Sequence, residues 1–146
     1  MRLSPHFDLS EFTASQTASR LGIDNTPPAE IIAALTRVAQ WLEGVRILLG
    51  VPIIISSGYR SPELNNAVGG SKSSQHMYGE AVDFTAPGFG GPRHVMDRII
   101  DAGMDYDQLI LEFPASGGWV HASIIKGVGR KQALLIDNHG TTPFAA

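Results

Sequence analysis

Two residues with good metal-binding side chains, His76 and Asp83, lie seven positions apart in the segment 73–83. Gly79 lies between them and permits a tight turn, and the residues that follow it alternate like a strand. A neutral imidazole and a carboxylate are ordinary ligands of zinc, and a catalytic zinc takes three protein ligands and leaves one position for water. The pair therefore needs a third ligand.

The third ligand is best supplied by His121, in the segment 119–123 with the sequence Trp-Val-His-Ala-Ser. This segment reads as a strand in which Val120 and Ala122 face one side and His121 faces the other. A strand holds a ligand more rigidly than a loop does. Each remaining histidine is expected to be a surface or satisfied core residue: His6, His94 and His139. A fourth ligand from the last two of these stays open.

Length and composition exclude some classes of partner and of metal site. The chain has 146 residues and a formal net charge of -3, with 11 Lys and Arg against 14 Asp and Glu. Since there is no basic surplus, we expect no nucleic-acid partner. The sequence contains no cysteine, which excludes thiolate zinc sites and leaves any metal to histidine and carboxylate ligands.

The N-terminal residues 1–11 do not resemble a secretory signal, because they contain no apolar run and no small-residue cleavage site. No stretch of the chain reaches the roughly 20 apolar residues that cross a bilayer. We therefore expect a protein that is made in the cytoplasm and has no membrane span. If its substrate lies outside the cytoplasm, another route must deliver it.

The pattern of apolar residues predicts helices early in the chain and strands later. The clearest helix is expected from Pro28 to Leu49, with Thr26 as N-cap and Gly50 at its end, because apolar residues recur there at helical spacing. A second helix is expected at residues 93–102. Strands are predicted at residues 51–55, 80–85, 108–113, 119–125 and 131–136.

This order of elements predicts one α+β domain over residues 1–146, with a mainly antiparallel sheet flanked by helices. The segment 57–75 is rich in serine and glycine and shows at most one helical turn. Long ordered loops in compact domains usually carry functional residues. We therefore expect this segment to be a functional loop.

Several of these residues resemble the signature of the zinc D-alanyl-D-alanine peptidases. The resemblance rests on the pattern Ser-x-His-x-x-Gly-x-Ala-x-Asp at residues 74–83 and on Trp-Val-His at residues 119–121. Residues 56–61 and 65–70 also resemble the upstream loop of that family. The superfamily includes phage L-alanyl-D-glutamate endolysins, the vancomycin-resistance dipeptidases and the hedgehog signalling domain. The resemblance covers most of the chain and implies a hedgehog-like fold.

The resemblance implies that one zinc ion per chain is held by His76, Asp83 and His121. Zinc at this place would activate a water molecule and polarise the scissile amide carbonyl, and a general base must stand beside that water. In many relatives the base is an acidic residue three positions before the last histidine. That position is Gly118 here, so the sequence departs from the pattern.

Glu112 is the nearest acidic residue, at the end of the predicted strand 108–113. Two adjacent antiparallel strands would bring it level with the metal, an arrangement that the hedgehog branch resembles. We therefore assign Glu112 as the general base, with Glu80 as runner-up. The alternative for Glu112, as partner of an arginine or as a solvent-facing strand residue, stays open. Asp105 and Asp107 are expected to be turn residues.

Four residues are candidates for binding the substrate. Arg60 follows a predicted strand, and its planar fork suits a peptide carboxylate; the resemblance implies that it also stabilises the developing oxyanion. Ser74 and Gln75 lie beside the first ligand and could bond either the substrate or the ligands. Trp119 points to the same face as His121 in a regular strand and could wall the cleft. Two structural alternatives stay open, Arg60 as a brace of its loop and Trp119 as a core residue.

Together these features predict a zinc metallopeptidase that hydrolyses peptide bonds in peptidoglycan stem peptides. The site suits a carboxypeptidase that removes terminal D-alanine and also an endopeptidase that cuts between L-alanine and D-glutamate. By resemblance we expect a phage-type endolysin that acts as a monomer on the cell wall, after release from the cell or as part of a phage particle. The alternative, which Gly118 keeps open, is a zinc-stabilised module that binds cell wall or protein without turnover.

Overall fold

The chain folds into five α-helices and eight strands over residues 1–145, which are the residues that the computed structural model describes. The strands are β1 (Arg2–Ser4), β2 (Phe7–Asp8), β3 (Ile54–Ser57), β4 (Ala81–Thr85), β5 (Gln108–Glu112), β6 (Trp119–Ser123), β7 (Gln132–Asp137) and β8 (Gly140–Pro143). The α-helices are α1 (Leu9–Thr13), α2 (Gln16–Leu21), α3 (Ala29–Leu49), α4 (Pro62–Ala67) and α5 (Pro92–Asp101). Short 3-10 helices cover Gln75–Tyr78 and Pro114–Ser116.

Six of the strands form one sheet in the order β3-β4-β6-β5-β7-β8, while β1 and β2 pair separately. Every neighbouring pair in the larger sheet is antiparallel except β5 and β7, which run parallel. A parallel pair requires a long connection, and the passage through β6 supplies it. The predicted α+β class with a mainly antiparallel sheet is confirmed.

The two faces of the sheet differ in chemistry. Because side chains alternate along a strand, one face collects apolar residues, and this face packs against α3 and α5. Its fully buried residues on the three central strands are Val82, Phe84, Leu109, Leu111, Val120 and Ala122. The alternate residues Asp83, Ile110 and His121 point to the opposite face. The core therefore supports the sheet from behind and leaves the other face to the candidate site.

α3 is the long helix that the apolar spacing predicted. Its buried side chains recur at steps of three and four and form one stripe: Leu35, Val38, Leu42, Val45 and Leu49. The helix ends at Gly50, whose φ of 70° is the left-handed conformation that glycine adopts without strain. The prediction of Thr26 as N-cap is wrong, because Pro27 and Pro28 keep the chain extended and the helix begins at Ala29.

Most other predicted elements are confirmed to within two residues. The strand predicted at 51–55 lies instead at Ile54–Ser57, because Pro52 has no N–H to donate and the chain joins the sheet only after it. β8 and both 3-10 helices were not predicted, because they are too short to show a periodic pattern. No helix among the described residues has the length and apolar character needed to cross a membrane.

Candidate metal centre and active site

Two of the predicted metal ligands lie side by side on neighbouring strands. Asp83 of β4 and His121 of β6 are register partners in an antiparallel pair. Nδ1 of His121 lies 2.9 Å from Oδ1 of Asp83, and both side chains are largely shielded from solvent. The register of the sheet thus brings together two residues that are far apart in the sequence.

His76 reaches the same point from the 3-10 helix at Gln75–Tyr78, where the sequence predicted only a turn. The hydroxyl of Ser74 caps this helix by accepting a hydrogen bond from the backbone N–H of His76. Gly79 ends it with a φ of 67°, and a Cβ at Gly79 would lie 2.8 Å from Cγ2 of Ile31 in α3. Glycine alone meets both conditions, so Gly79 fixes how this helix leads into β4.

The backbone fixes the tautomer of His76. Nδ1 of His76 lies 2.6 Å from the carbonyl oxygen of Gly58. Because a carbonyl only accepts, Nδ1 donates and Nε2 keeps its lone pair. Nε2 lies 3.4 Å from Oδ2 of Asp83, and the rings of His76 and His121 are 5.1 Å apart. One donor atom from each of these three residues lies within 4.8 Å of the others, so the cluster could hold a metal ion.

Asp83 is the negatively charged member of this cluster. Burial acts to raise its pKa, but the hydrogen bond from Nδ1 of His121 and the nearby ring of His76 outweigh burial, and the pKa of Asp83 lies well below its ordinary value. A carboxylate must be deprotonated before it binds a metal. At neutral pH the cluster therefore offers one carboxylate and two imidazoles.

Glu112 lies in the same cleft as the cluster, on the adjacent strand β5. It is the register partner of Trp119, which stands two residues before His121. Both residues line a cleft of about 520 Å³ that also contains the three predicted ligands. Burial raises the pKa of Glu112, and the negative charge of Asp83 raises it further, against an opposing effect of His121. A raised pKa makes Glu112 a better proton acceptor than an exposed glutamate.

Position 118 has no room for an acidic side chain. Gly118 has a φ of 66°, and a Cβ there would lie 2.6 Å from the backbone oxygen of Glu112 and 2.9 Å from Cα of Pro114. The residue belongs to the tight connection between β5 and β6. The acidic group of the cleft therefore comes from the end of β5 and not from the position that the family pattern would use.

Arg60 is held beside the cluster by the loop that follows β3. Its backbone N–H donates to the carbonyl of His76, and its Nη2 donates to the hydroxyl of Ser74 at 3.1 Å. Its Nε is buried and has no acceptor among the described residues. Burial acts to lower the pKa of Arg60, while the carboxylates of Asp83 and Glu112 act to raise it, and a guanidinium stays charged throughout. Arg60 thus presents a cation to the cleft.

The remaining candidates for substrate binding have different surroundings. Trp119 lines the cleft, packs with its ring 5.7 Å from that of Phe113, and has a buried indole N–H without a hydrogen-bond partner among the described residues. Gln75 also lines the cleft, but its side-chain amide donates to Asp107 at 3.0 Å. Ser74 already bonds both His76 and Arg60. Trp119 thus lines the cleft while its N–H is buried, whereas Ser74 and Gln75 have protein partners.

Other residues that the sequence left open lie away from the cluster. His94 and His139 are exposed and do not join it, so the described residues supply three ligands and no fourth. His6 is bonded to Glu43 at 2.7 Å. Glu80, the second acidic candidate, is not among the residues that line the cleft.

Comparison with known proteins identifies the family of this chain. A sequence model of the family described as peptidase M15 matches residues 5–123, a span that contains the three predicted ligands and Glu112. The chain belongs to the peptidase M15 family. The family resemblance predicted from the sequence is confirmed.

This M15 family member is also similar to a curated protein, the zinc D-Ala-D-Ala carboxypeptidase of Streptomyces albus G. The two are 43% identical over 51 residues, which make up 34% of this chain and 20% of the relative. The similarity therefore spans about a fifth of the relative's length.

The sequence analysis missed one ion pair next to the site of this M15 family member. Asp107, predicted to be a turn residue, lies at a bend before β5 and is buried, with 2% of its side chain exposed. Nε and Nη2 of Arg130 donate to its two carboxylate oxygens at 2.9 and 2.7 Å. Hydrogen bonding from Arg130 holds the pKa of Asp107 well below its usual range. No local pattern in the sequence links these two positions, because β6 lies between them.

Gly118→Ala is expected to destabilise this M15 family member more than Gly22→Ala. Both glycines have positive φ, 69° at Gly22 and 66° at Gly118, which costs an alanine about 1–2 kcal/mol. Only at Gly118 does the new Cβ meet backbone atoms, which adds about 1–3 kcal/mol. Urea denaturation followed by circular dichroism measures both free energies of unfolding. Equal losses in the two variants would contradict the close packing.

Asp107→Asn is expected to lower the free energy of unfolding at neutral pH by about 2 kcal/mol. The folded-state pKa of Asp107 is lowered, so its carboxylate stabilises the fold above the unfolded-state pKa of about 3.9. This contribution is lost as the pH falls from there toward the folded-state pKa. The difference between wild type and variant should therefore shrink at acid pH.

Urea denaturation at about pH 7 and about pH 3 measures this difference. Asp105→Asn is the matched control, because Asp105 is fully exposed and its carboxylate lies 3.9 Å from Lys131. We expect the control to stay within about 0.5 kcal/mol of wild type at both pH values. A loss in Asp107→Asn that is the same at both pH values would contradict the assigned ion pair.

Proposed function

We propose that this chain is a zinc-dependent peptidase that hydrolyses peptide bonds in the stem peptides of bacterial peptidoglycan. The observation that carries the proposal is the cluster of His76, Asp83 and His121 in one cleft with the carboxylate of Glu112. Membership of the peptidase M15 family supports the reaction class. The similarity to a zinc D-Ala-D-Ala carboxypeptidase supports the substrate class.

The donor set fits zinc. Two imidazoles with one carboxylate is a common ligand set of catalytic zinc, and it leaves one coordination position for water. The second ring nitrogen of His76 is tied to a backbone carbonyl, as is usual for histidines that bind metals. The side chains of the three residues are only 4–13% exposed, so solvent competes little for them. Zinc bound there would supply a Lewis acid that activates water and polarises the scissile carbonyl.

Glu112 is the general base in this proposal. Its half-buried carboxylate, with a raised pKa, accepts a proton from the attacking water and passes it to the leaving amine. Trp119 lies beside it and limits access of bulk water to that end of the cleft. The acidic function that the family pattern assigns to position 118 is thus carried by the neighbouring strand.

Arg60 binds a substrate carboxylate and stabilises negative charge that develops on the scissile carbonyl oxygen. Its Nη1, unlike Nη2, has no acceptor among the described residues and can donate to a substrate. Ser74 positions Arg60 and His76 together through its hydroxyl. This hydroxyl thus ties the cation before α4 to the first metal ligand in the 3-10 helix after it.

Two cleavage reactions belong to this proposal, removal of the terminal D-alanine and cleavage between L-alanine and D-glutamate. Arg60 also borders a groove of about 970 Å³ between α2, β3 and α4. A substrate cut at an internal bond would extend past Arg60 into this groove, which favours the endopeptidase reaction. The substrate lies outside the cytoplasm, so we propose that the enzyme acts there on the cell wall. A phage origin stays a prediction from the resemblance.

Glu112→Gln is expected to abolish hydrolysis of soluble stem peptides while zinc binding is retained. The amide keeps the size of the side chain but cannot accept the proton, and loss of a general base costs about 10²- to 10⁴-fold in rate. Mass spectrometry of the products measures the rate and identifies the bond that is cut. Zinc content is measured on the same samples by elemental analysis.

Glu80→Gln is the matched control, because Glu80 is the other acidic candidate and lies outside the cleft. We expect it to keep wild-type activity. Full activity in Glu112→Gln would contradict the assignment of the base. A wild-type protein that binds zinc but cuts no stem peptide would contradict the proposed enzyme and favour a binding module.

A further inference from the structure

The cleft has a second cationic residue, Arg130, at the end away from Glu112. Arg130 lies two residues before β7, and Gln108 of β5 is the register partner of Gln132 in β7. Arg130 therefore stands at the Gln108 end of β5, while Glu112 stands at the other end. Four residues along a strand correspond to about 13 Å. Both residues line the same cleft.

The guanidinium of Arg130 is fixed in place by a buried carboxylate. The Nε and backbone N–H of Arg130 donate to one oxygen of Asp107, at 2.9 and 3.0 Å, and Nη2 donates to the other at 2.7 Å. The second oxygen also accepts from Gln75 at 3.0 Å and from Ser123 at 3.3 Å. Asp107 is thereby saturated with hydrogen bonds, and the side chain of Arg130 has a single defined orientation.

The backbone around Arg130 is held in place as well. A Cβ at Gly129 would lie 2.5 Å from the backbone oxygen of Tyr106, and the N–H of Lys131 donates to that same oxygen. Lys131 has a φ of 54°, a conformation that is unfavourable for a residue with a side chain. Arg130 is therefore preceded by a closely packed residue, Gly129, and followed by a strained residue, Lys131.

Part of the guanidinium is left for a ligand. The side chain of Arg130 is 55% exposed although Asp107 beneath it is buried. Nη1 of Arg130 has no acceptor among the described residues, whereas Nε and Nη2 are engaged. The neighbouring side chains in the cleft, Gln75 and Gln108, are neutral amides. The carboxylate that contacts Arg130, that of Asp107, is buried beneath the guanidinium and engages Nε and Nη2.

Arg60 and Arg130 occupy different parts of the cleft. Nη2 of Arg60 donates to Ser74, whose hydroxyl also accepts from the backbone of His76, which places Arg60 beside the cluster. Arg130 bonds Asp107 at the opposite end of β5. A stem peptide carries more than one carboxylate, namely that of its D-glutamate and that of its C-terminus. Two separated guanidinium groups match such a substrate.

We propose that Arg130 binds a second substrate carboxylate through Nη1 and so selects stem peptides in which that carboxylate is free over those in which it is amidated. The inference rests on the proposed peptidase function. Asp107 and Gln75 are positioning residues here, because they act on the substrate only through the orientation of Arg130. Arg130 sets specificity and takes no part in proton transfer.

The test uses three synthetic stem pentapeptides: one with both carboxylates free, one amidated at D-glutamate and one amidated at the C-terminus. kcat/KM is measured for wild type, Arg130→Gln and Lys131→Gln. Lys131→Gln removes a positive charge one residue away, from a side chain that faces Asp105 instead of Asp107. Zinc content and melting temperature show whether each variant is folded, and Arg130→Lys replaces Arg130→Gln if the latter does not fold.

In wild type we expect one of the two amidations to lower kcat/KM about ten-fold, the usual scale of a hydrogen bond to a charged group. Arg130→Gln should lose this discrimination because its activity on the free carboxylate falls, while Lys131→Gln should keep it. With Arg130→Lys, which retains charge but not the fork, the ratio should fall part of the way.

Three results would overturn the proposal. Wild type could cut all three peptides equally, or Arg130→Gln could keep the wild-type ratios, or the variant could lose the same factor on every peptide, as a purely structural brace would. In each of these cases hydrolysis itself is present and the proposed function stands. A wild-type enzyme that cuts none of the three peptides overturns both proposals.

Discussion

The antiparallel register of β4 and β6 is the constraint on which the rest of the site depends. It sets Asp83 opposite His121, on the face of the sheet that the helices do not cover. A slip of one residue would turn both side chains into the apolar core and bring Val82 or Val120 to the cleft. The alternating burial of these strands prevents such a slip, because the residues on either side of each ligand are fully buried. The core that stabilises the fold therefore also aligns the ligands.

The two most buried aspartates of the site both have hydrogen-bonding partners. Asp83 accepts from Nδ1 of His121, and Asp107 accepts from Arg130. A buried charge without a partner would cost several kcal/mol, on the order of 3–5. Two residues that line the cleft, Arg60 and Trp119, each have a buried N–H without an acceptor among the described residues, as do groups elsewhere in the chain.

The sequence predicted those parts of the structure that show a local pattern of residue spacing or residue type. The stripe of α3, the strand alternation around Asp83 and His121, and the turn at Gly79 each have a period or a residue type that can be read directly. The family resemblance predicted that these segments form one site. Glu112 could be proposed because β5 and β6 follow each other closely and pair as a hairpin.

The remaining features depend on contacts between distant segments. The pairing of Asp107 with Arg130 results from the parallel alignment of β5 and β7. No local sequence pattern predicts this alignment. The 3-10 helix that carries His76 is too short to have a period, and its shape depends on the packing of Gly79 against α3. Thr26 was predicted as the N-cap of α3 from its residue type. Pro27 and Pro28 instead keep the backbone extended, so the helix begins at Ala29.

The most direct test of the account is the zinc content of the purified wild-type protein, beside His121→Ala and His139→Ala, with stem-peptide cleavage measured on the same samples. His139 is the matched control, since it is an exposed histidine outside the cluster. The account predicts one zinc per chain and full cleavage in wild type and His139→Ala, and loss of both in His121→Ala. Equal zinc in all three proteins, or none in wild type, would contradict it.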